Sequence, residues 1–418
     1  MNRVNHKIIL SSKFRNNLFR LLFFLTLTAP LKANQVFQLS GHATVSLLTC
    51  GPGNRLFEAF GHSAVRVRDP LNHIDFVYNY GTFNFNQPNF YINFAKGYLE
   101  YYLSKTTFDH FARVYRYHNR SISEQVLNLS YPQKQEIFFF LEQNALPENR
   151  YYFYDYLYDN CSTRIRDAFE EVLGKTLEFD PDYVKPQPQQ RPLSFRELID
   201  VYAAETQPWG DFGIDLCLGA EIDQVATPYQ CMFLPDYLEA GFDGAVISSA
   251  GSMPLVGKKQ VVFEALPTPG NVPFFTPSLV FWLLFILVVL LTFWEIKNNR
   301  NLMGWDILLF STYGLLGVIL LMLWIATDHK SAQNYNLLWA FPLHFPVAIL
   351  MLLGSARKWV RYYLFFTLLL TLCLFAGWYI FPQKLHPAIA PLALTLGFRA
   401  FYRYVPDVFR SKLSKLAA

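Results

Sequence analysis

Hydrophobic and polar positions keep three different rhythms along this chain. From Ser40 to Cys50, from His62 to Arg68, from Ile74 to Gly81 and from Ile122 to Leu129, apolar residues fall in short runs that are largely alternating. Gly51-Pro52-Gly53 and Pro70-Leu71-Asn72 separate the first three runs. Such runs bounded by turn residues predict β-strands. In the second run His62 shares a face with Ala64, Arg66 and Arg68, so the histidine is expected on the less apolar side. Ser130, Pro132 and Gln133 carry the capping signal of a helix reaching Asn144. At Asn160 the period lengthens: Ile165, Ala168, Phe169, Val172 and Leu173 form one helical face, Asn160 is a good N-cap, and Gly174 stops the helix. Strands packed on this helix predict a compact α+β unit. Ser194 and Glu197 open a further helix through Ala204.

From Pro273 the rhythm gives way to five apolar segments: Pro277–Trp294, Trp305–Thr327, Leu337–Gly354, Tyr362–Phe381 and Pro387–Tyr402. Each is near the ~20 residues that cross a bilayer. The last holds Pro387, Pro391, Gly397 and Arg399, so a bent or interfacial helix is its alternative. A chain of 418 residues that is 52% hydrophobic and 17% aromatic is too apolar for one soluble enzyme. Its net charge of +4 gives no reason to expect a nucleic-acid partner. Basic residues follow the first span (Lys297, Arg300), the third (Arg357, Lys358, Arg361) and the fifth (Arg403, Arg410, Lys412, Lys415), all on one side. The preceding domain is therefore expected on the opposite, extracytoplasmic face. Arg3, Lys7, Lys13, Arg15 and Arg20 before the apolar run Leu21–Thr28 agree, reading as an export signal.

These patterns divide the chain into a signal at 1–33, an exported domain at 34–270 with a Pro/Gln connector near 180–192, an all-α membrane bundle of about five helices at 271–404, and a basic cytoplasmic tail at 405–418.

Candidate chemistry centres on Cys161 in the first turn of its helix, where the dipole and unpaired backbone N–H groups stabilise a thiolate. A thiol nucleophile needs a base, and His62 on a rigid strand supplies one. The other readings are a small buried residue or half of a disulfide; Cys50 is the partner that would destroy the nucleophile, and Cys217–Cys231 is the more plausible bridge. Asp211, Asp215, Glu221 and Asp223 match no ligand loop and read as solvated acids, so neither a metal nor another cofactor is expected.

Histidine on a strand followed by Asn-Cys on a helix resembles the circularly permuted papain-like fold of permuted NlpC/P60 peptidases and lecithin:retinol acyltransferase-like enzymes. Gly61-His62-Ser63-Ala64, Tyr78-Asn79-Tyr80-Gly81 and Tyr158 to Arg164, with Thr327-Asp328-His329 and Asn336-Leu337-Leu338-Trp339, resemble the Bacteroides-type lipoprotein N-acyltransferases, Lnb. That resemblance implies an acyl chain passing from a phospholipid donor through a Cys161 thioester to the α-amine of a diacylglyceryl-cysteine lipoprotein, at the bacterial inner membrane. It also points to Asn79 as the group orienting His62, with Asp75 as rival. Arg164 and Arg166 are candidates to meet lipid phosphate, or simply a charged helix face. Asp328, His329, Asn336 and Trp339 are candidates for a lipid or lipoprotein docking surface, or an ordinary loop with an interfacial Trp. The aromatic stretch Phe83–Tyr102 reads as core or as a segment dipping into the outer leaflet. A tethered peptidase or amidase acting on peptidoglycan and a non-catalytic membrane scaffold are the competing classes.

Overall fold

The computed structural model describes residues 37–405 apart from 85, 87, 99, 185–190, 249–250, 268–272 and 356. The expected signal and its cleavage region, most of the Pro/Gln connector, and the tail with Arg410, Lys412 and Lys415 lie outside the described residues. The chain divides into Met1–Leu39 and Ser40–Ala418, and the sheet, the site and the membrane helices all belong to the second unit.

Strands form where alternation predicts them: Thr44–Cys50 (β1), His62–Asp69 (β2), Ile74–Thr82 (β3) and, after the aromatic region, Ile122–Leu127. That aromatic region holds regular structure. It contains helix Phe90–Lys96 (α1), strand Glu100–Thr107 (β4) and helix Phe108–Tyr117 (α2), which the density of rings concealed. Ile122–Leu127 is therefore β5, followed by helix Tyr131–Asn144 (α3), strand Tyr151–Phe153 (β6) and helix Cys161–Leu173 (α4). Leu177–Glu178 (β7), Val246–Ser248 (β8) and Ser252–Pro254 (β9) make a small second sheet. Val256–Phe263 (β10) returns to the main one, whose seven described strands run in the order β10-β5-β1-β2-β3-β4-β6, every neighbour antiparallel.

Strand β2 lies in the middle, and both its faces are covered. Ser63 Oγ meets Ser162 Oγ of α4 at 3.0 Å on one face. On the other, the Arg66 guanidinium sits 3.4 Å from the Phe108 ring centroid of α2 and is bonded to Asp75 and Glu124. The middle of the face predicted to be less apolar is thus buried, Ala64 being 0% and Arg66 8% exposed, while Arg68 at its end is exposed. A buried guanidinium is tolerable because two carboxylates satisfy it.

Beyond the sheet, helices Phe195–Ala203 (α5), Pro208–Cys217 (α6) and Pro235–Gly244 (α7) lead towards the apolar region. There Pro277–Lys297 (α8), Met303–Ala326 (α9) and Arg357–Gly377 (α11) are long and apolar enough to cross a membrane. The other two expected segments are shorter helices: His344–Leu352 (α10), preceded by a short turn at Tyr335–Leu338, and Ile389–Tyr404 (α12). The interfacial alternative for α12 does not hold. Its Ile389, Leu392, Ala393, Leu396 and Ala400 are buried, and Arg399, 1% exposed, is bonded to Asp306 of α9 and to Glu295 and Thr292 of α8. Arg403 pairs with the same two acids. Two cations and two anions balance, which is what allows them at this depth.

Candidate active site

Asn160 begins α4 with extended backbone, and its Oδ1 accepts from the Ser162 and Thr163 N–H groups at 2.8 and 3.0 Å. Its amide nitrogen donates to the carbonyls of Tyr156 and Phe233, both at 2.9 Å, so the cap is itself held from two sides. A residue bonded this way fixes where the next one points. Cys161 consequently emerges at the helix tip, half-buried, against the first residue of β2. The His62 imidazole and the Cys161 thiol adjoin, close enough for each to shift the other's ionisation. On the other side of the ring, Nε2 meets Asn79 Oδ1 from β3. Amide oxygen only accepts, so Nε2 carries the ring proton and Nδ1 is left for the sulfur. Asp75, the rival orienting group, is occupied by Arg66 at 2.7 Å.

Electrostatics follow from this arrangement. Burial pushes the Cys161 thiol up, but the His62 charge and hydrogen bond, the Ser63 N–H and the Ser162 hydroxyl outweigh it and hold the thiol at about 7. Burial likewise disfavours charge on His62, yet Cys161 and the Asn79 bond raise its pKa above the ordinary value. Each group thus favours the charged form of the other. Cys50, opposite His62 in the sheet register, is fully buried and pushed up to about 12, which leaves it unreactive.

Gly81 borders the reaction space. A Cβ there would lie 3.4 Å from Cβ of Cys161 and 3.9 Å from both Cε1 of His62 and Cε2 of Tyr154, and φ is +83°. These are ordinary contact distances, so it is the left-handed backbone that requires glycine here. Gly81 and Tyr154 were not singled out from sequence as site residues, although Gly81 ends the Tyr-Asn-Tyr-Gly run.

A family model described as the Lnb N-terminal periplasmic domain matches residues 34–200, and one described as the Lnb transmembrane domain matches residues 270–408. The chain belongs to the Lnb family. No curated protein and no solved structure matches it. Lnb membership supports a lipoprotein N-acyltransferase-like role and a membrane protein with a periplasmic domain.

Other residues expected to serve this Lnb chain as ligand contacts have different employment. Arg164 is bonded to Asp159 and lies 4.2 Å from the Tyr152 ring centroid; Arg166 is buried against Asp167 and Tyr229. Asn336 and Trp339 are 0% and 2% exposed, enclosed where the loop meets α6. Asn336 donates to the carbonyls of Asp215 and Leu216 at 3.1 and 3.2 Å, Asn334 to those of Leu216 and Cys217, and Trp339 Nε1 donates to Asn336 Oδ1. These are the last turns of α6, whose carbonyls have no partner within the helix. The loop after α9 therefore caps α6 and joins the periplasmic domain to the membrane helices. Asp328 and His329 hold α1: the Asp328 N–H donates to the Lys96 carbonyl at 3.0 Å, and the His329 ring meets the Phe94 carbonyl at 2.9 Å. Ile92, Phe94 and Tyr98 around them are exposed.

Of the acidic residues, Glu221 is partly exposed and pairs with Lys330 at 3.1 Å, while the other three are enclosed. Asp215 and Asp223 pair with Arg196, itself 0% exposed, and Asp211 is 4% exposed beside His386. Asp211, Asp215 and His386 bring ligand-type atoms within 4.8 Å of one another. His386 Nδ1, however, accepts from the Ala388 N–H at 3.0 Å, so its proton sits on Nε2, facing Asp211. A protonated nitrogen donates a hydrogen bond and does not ligate a metal. All five cysteines are free, and neither Cys217–Cys231 nor Cys50–Cys161 is bridged.

Proposed function

We propose that this Lnb chain is a cysteine-dependent lipoprotein N-acyltransferase of the bacterial inner membrane, with Cys161 as nucleophile, His62 as base and Asn79 as the residue positioning His62. The observation carrying the reading is the chain of contacts from Cys161 through His62 to Asn79, at the tip of a capped helix in a protein with membrane spans. In the first half-reaction the thiolate attacks the ester carbonyl of a phospholipid, the carbon–oxygen bond breaks, and the lysophospholipid oxygen takes the proton of the His62 imidazolium. In the second, the α-amine of a diacylglyceryl-cysteine lipoprotein attacks the thioester, gives its proton to His62, and the thiolate leaves. The Cys161 N–H, which the Asn160 cap leaves aside, is the donor assigned to the oxyanion in both.

A membrane enzyme of this kind meets both substrates at the lipid surface. Purified protein incubated with phospholipid and a diacylated lipopeptide should yield a triacylated product by mass spectrometry. Lipopeptide left unchanged, with muropeptides cleaved instead, would replace this reading by the peptidase.

A further inference from the structure

Aromatic rings run from the nucleophile to the first membrane span. Tyr154, at the edge of the space beside Cys161, stacks on Tyr101 with centroids 4.2 Å apart and planes at 20°. Tyr101 meets Phe83 at 5.2 Å, and Phe83 meets Phe57 edge-on at 5.9 Å. Phe57 is 54% exposed, and its neighbour Leu56 37%. Leu56 lies against Gly210 at the start of α6, so closely that a Cβ there would come within 2.5 Å of it. The next residue back, Trp209, donates to the Phe275 carbonyl at 2.7 Å and packs on Phe281 of α8 at 5.7 Å. One surface of half-covered rings thus has sulfur at one end and the lipid-side start of α8 at the other. Polar domains rarely leave such a surface open without an apolar ligand to cover it.

We infer that the acyl chain of the donor, and then of the Cys161 thioester, lies along Tyr154, Tyr101, Phe83 and Phe57, with its tail directed to the N-terminal end of α8. This rests on the acyl-enzyme reading of Cys161. The occupant follows from connectivity: whatever alkyl chain is attached to the sulfur must leave along the surface adjoining it, and a lipid tail must reach the bilayer. The apolar path excludes water from the chain and orients the ester carbonyl towards Cys161. Its length makes Phe57 and Phe83 determinants of chain-length preference, because only a long chain reaches them.

The test is thioester formation on the full-length protein in detergent, read as a hydroxylamine-labile mass increment, with donors of one headgroup carrying long or short acyl chains. Phe57→Ala and Phe83→Ala should each lower the long-to-short ratio of kcat/KM by about tenfold. Tyr117→Ala, an 86% exposed ring away from the path, serves as control and should keep the parent ratio. A parent ratio retained in both phenylalanine variants, while the thioester still forms, would overturn the path and leave the nucleophile intact. Absence of any adduct on the unsubstituted protein would remove the acyl-enzyme, and the path with it.

Discussion

The N-terminal tip of α4 and the C-terminal end of α6 are both helix ends ringed with polar side chains, and they are built to opposite purposes. At α4 the cap takes the N–H groups of Ser162 and Thr163 but leaves the sulfur turned towards His62 and the space beside Gly81. At α6 the carbonyls of Asp215, Leu216, Cys217 and Leu218 are all claimed, by Asn336, Asn334 and Gln383 from the membrane part. Polar residues that satisfy a buried backbone hold the molecule together. Polar residues that hold a reactive atom beside open space are the ones that can act on a substrate.

The largest expected effect falls at the first end. Cys161→Ala and His62→Ala should each lower acyl transfer by about a thousandfold or more, with thermal unfolding little changed. Transfer by either variant at the parent rate would show that the tip of α4 is not the reacting end. Gly81→Ala should cost about a hundredfold, since it puts left-handed strain into the backbone that adjoins Cys161 and His62.

Ionisation gives the next test. Because His62 holds the thiol down at about 7, alkylation of Cys161 in the parent should rise through about pH 7. Without His62 the opposing burial remains, so the midpoint in His62→Ala moves up, to or beyond the ordinary thiol range near ~8.5. An unmoved midpoint would separate the two side chains.

At α6 the effects should be on stability. Asn336→Ala leaves the buried Asp215 carbonyl short of a donor and Trp339 Nε1 short of its acceptor, and is expected to cost about 1–3 kcal/mol, read as a lower unfolding midpoint, while the folded fraction keeps its kcat/KM. A selective rise in lipid KM would instead give Asn336 the docking role. A pH-dependent effect on stability falls at Asp211, which burial, then the charges of Asp215 and Asp200, raise to about 7. The folded state thus binds more protons than the unfolded one, so stability falls as pH rises from about 4 towards 7. Asp211→Asn removes that loss and should raise the unfolding midpoint near about pH 7.5 more than near about pH 5.

The juxtaposed Cys161 and His62 were legible because their signals are local: a cap before Cys161, and alternation after His62. Asn79 needed the family resemblance, since nothing in Phe-Val-Tyr-Asn-Tyr says which face the amide takes. The junction was not legible because sequence records that Asn336 is polar, but not that its partners are carbonyls some 120 residues away, nor that Trp339 Nε1 donates to its side chain. Arg399 in α12 has the same cause: its partners Asp306 and Glu295 lie on other helices, and alone it reads as a reason against a buried segment. β10 escaped because Lys258 and Lys259 interrupt an edge strand with charge, as edges commonly do.

The central claim is that sulfur carries the acyl group. Intact-mass measurement of the protein incubated with phospholipid alone should show an increment of one acyl chain, located on Cys161, labile to hydroxylamine and discharged when diacylated lipopeptide is added. Transfer to the lipopeptide with no adduct on Cys161, or undiminished in Cys161→Ala, would contradict the account.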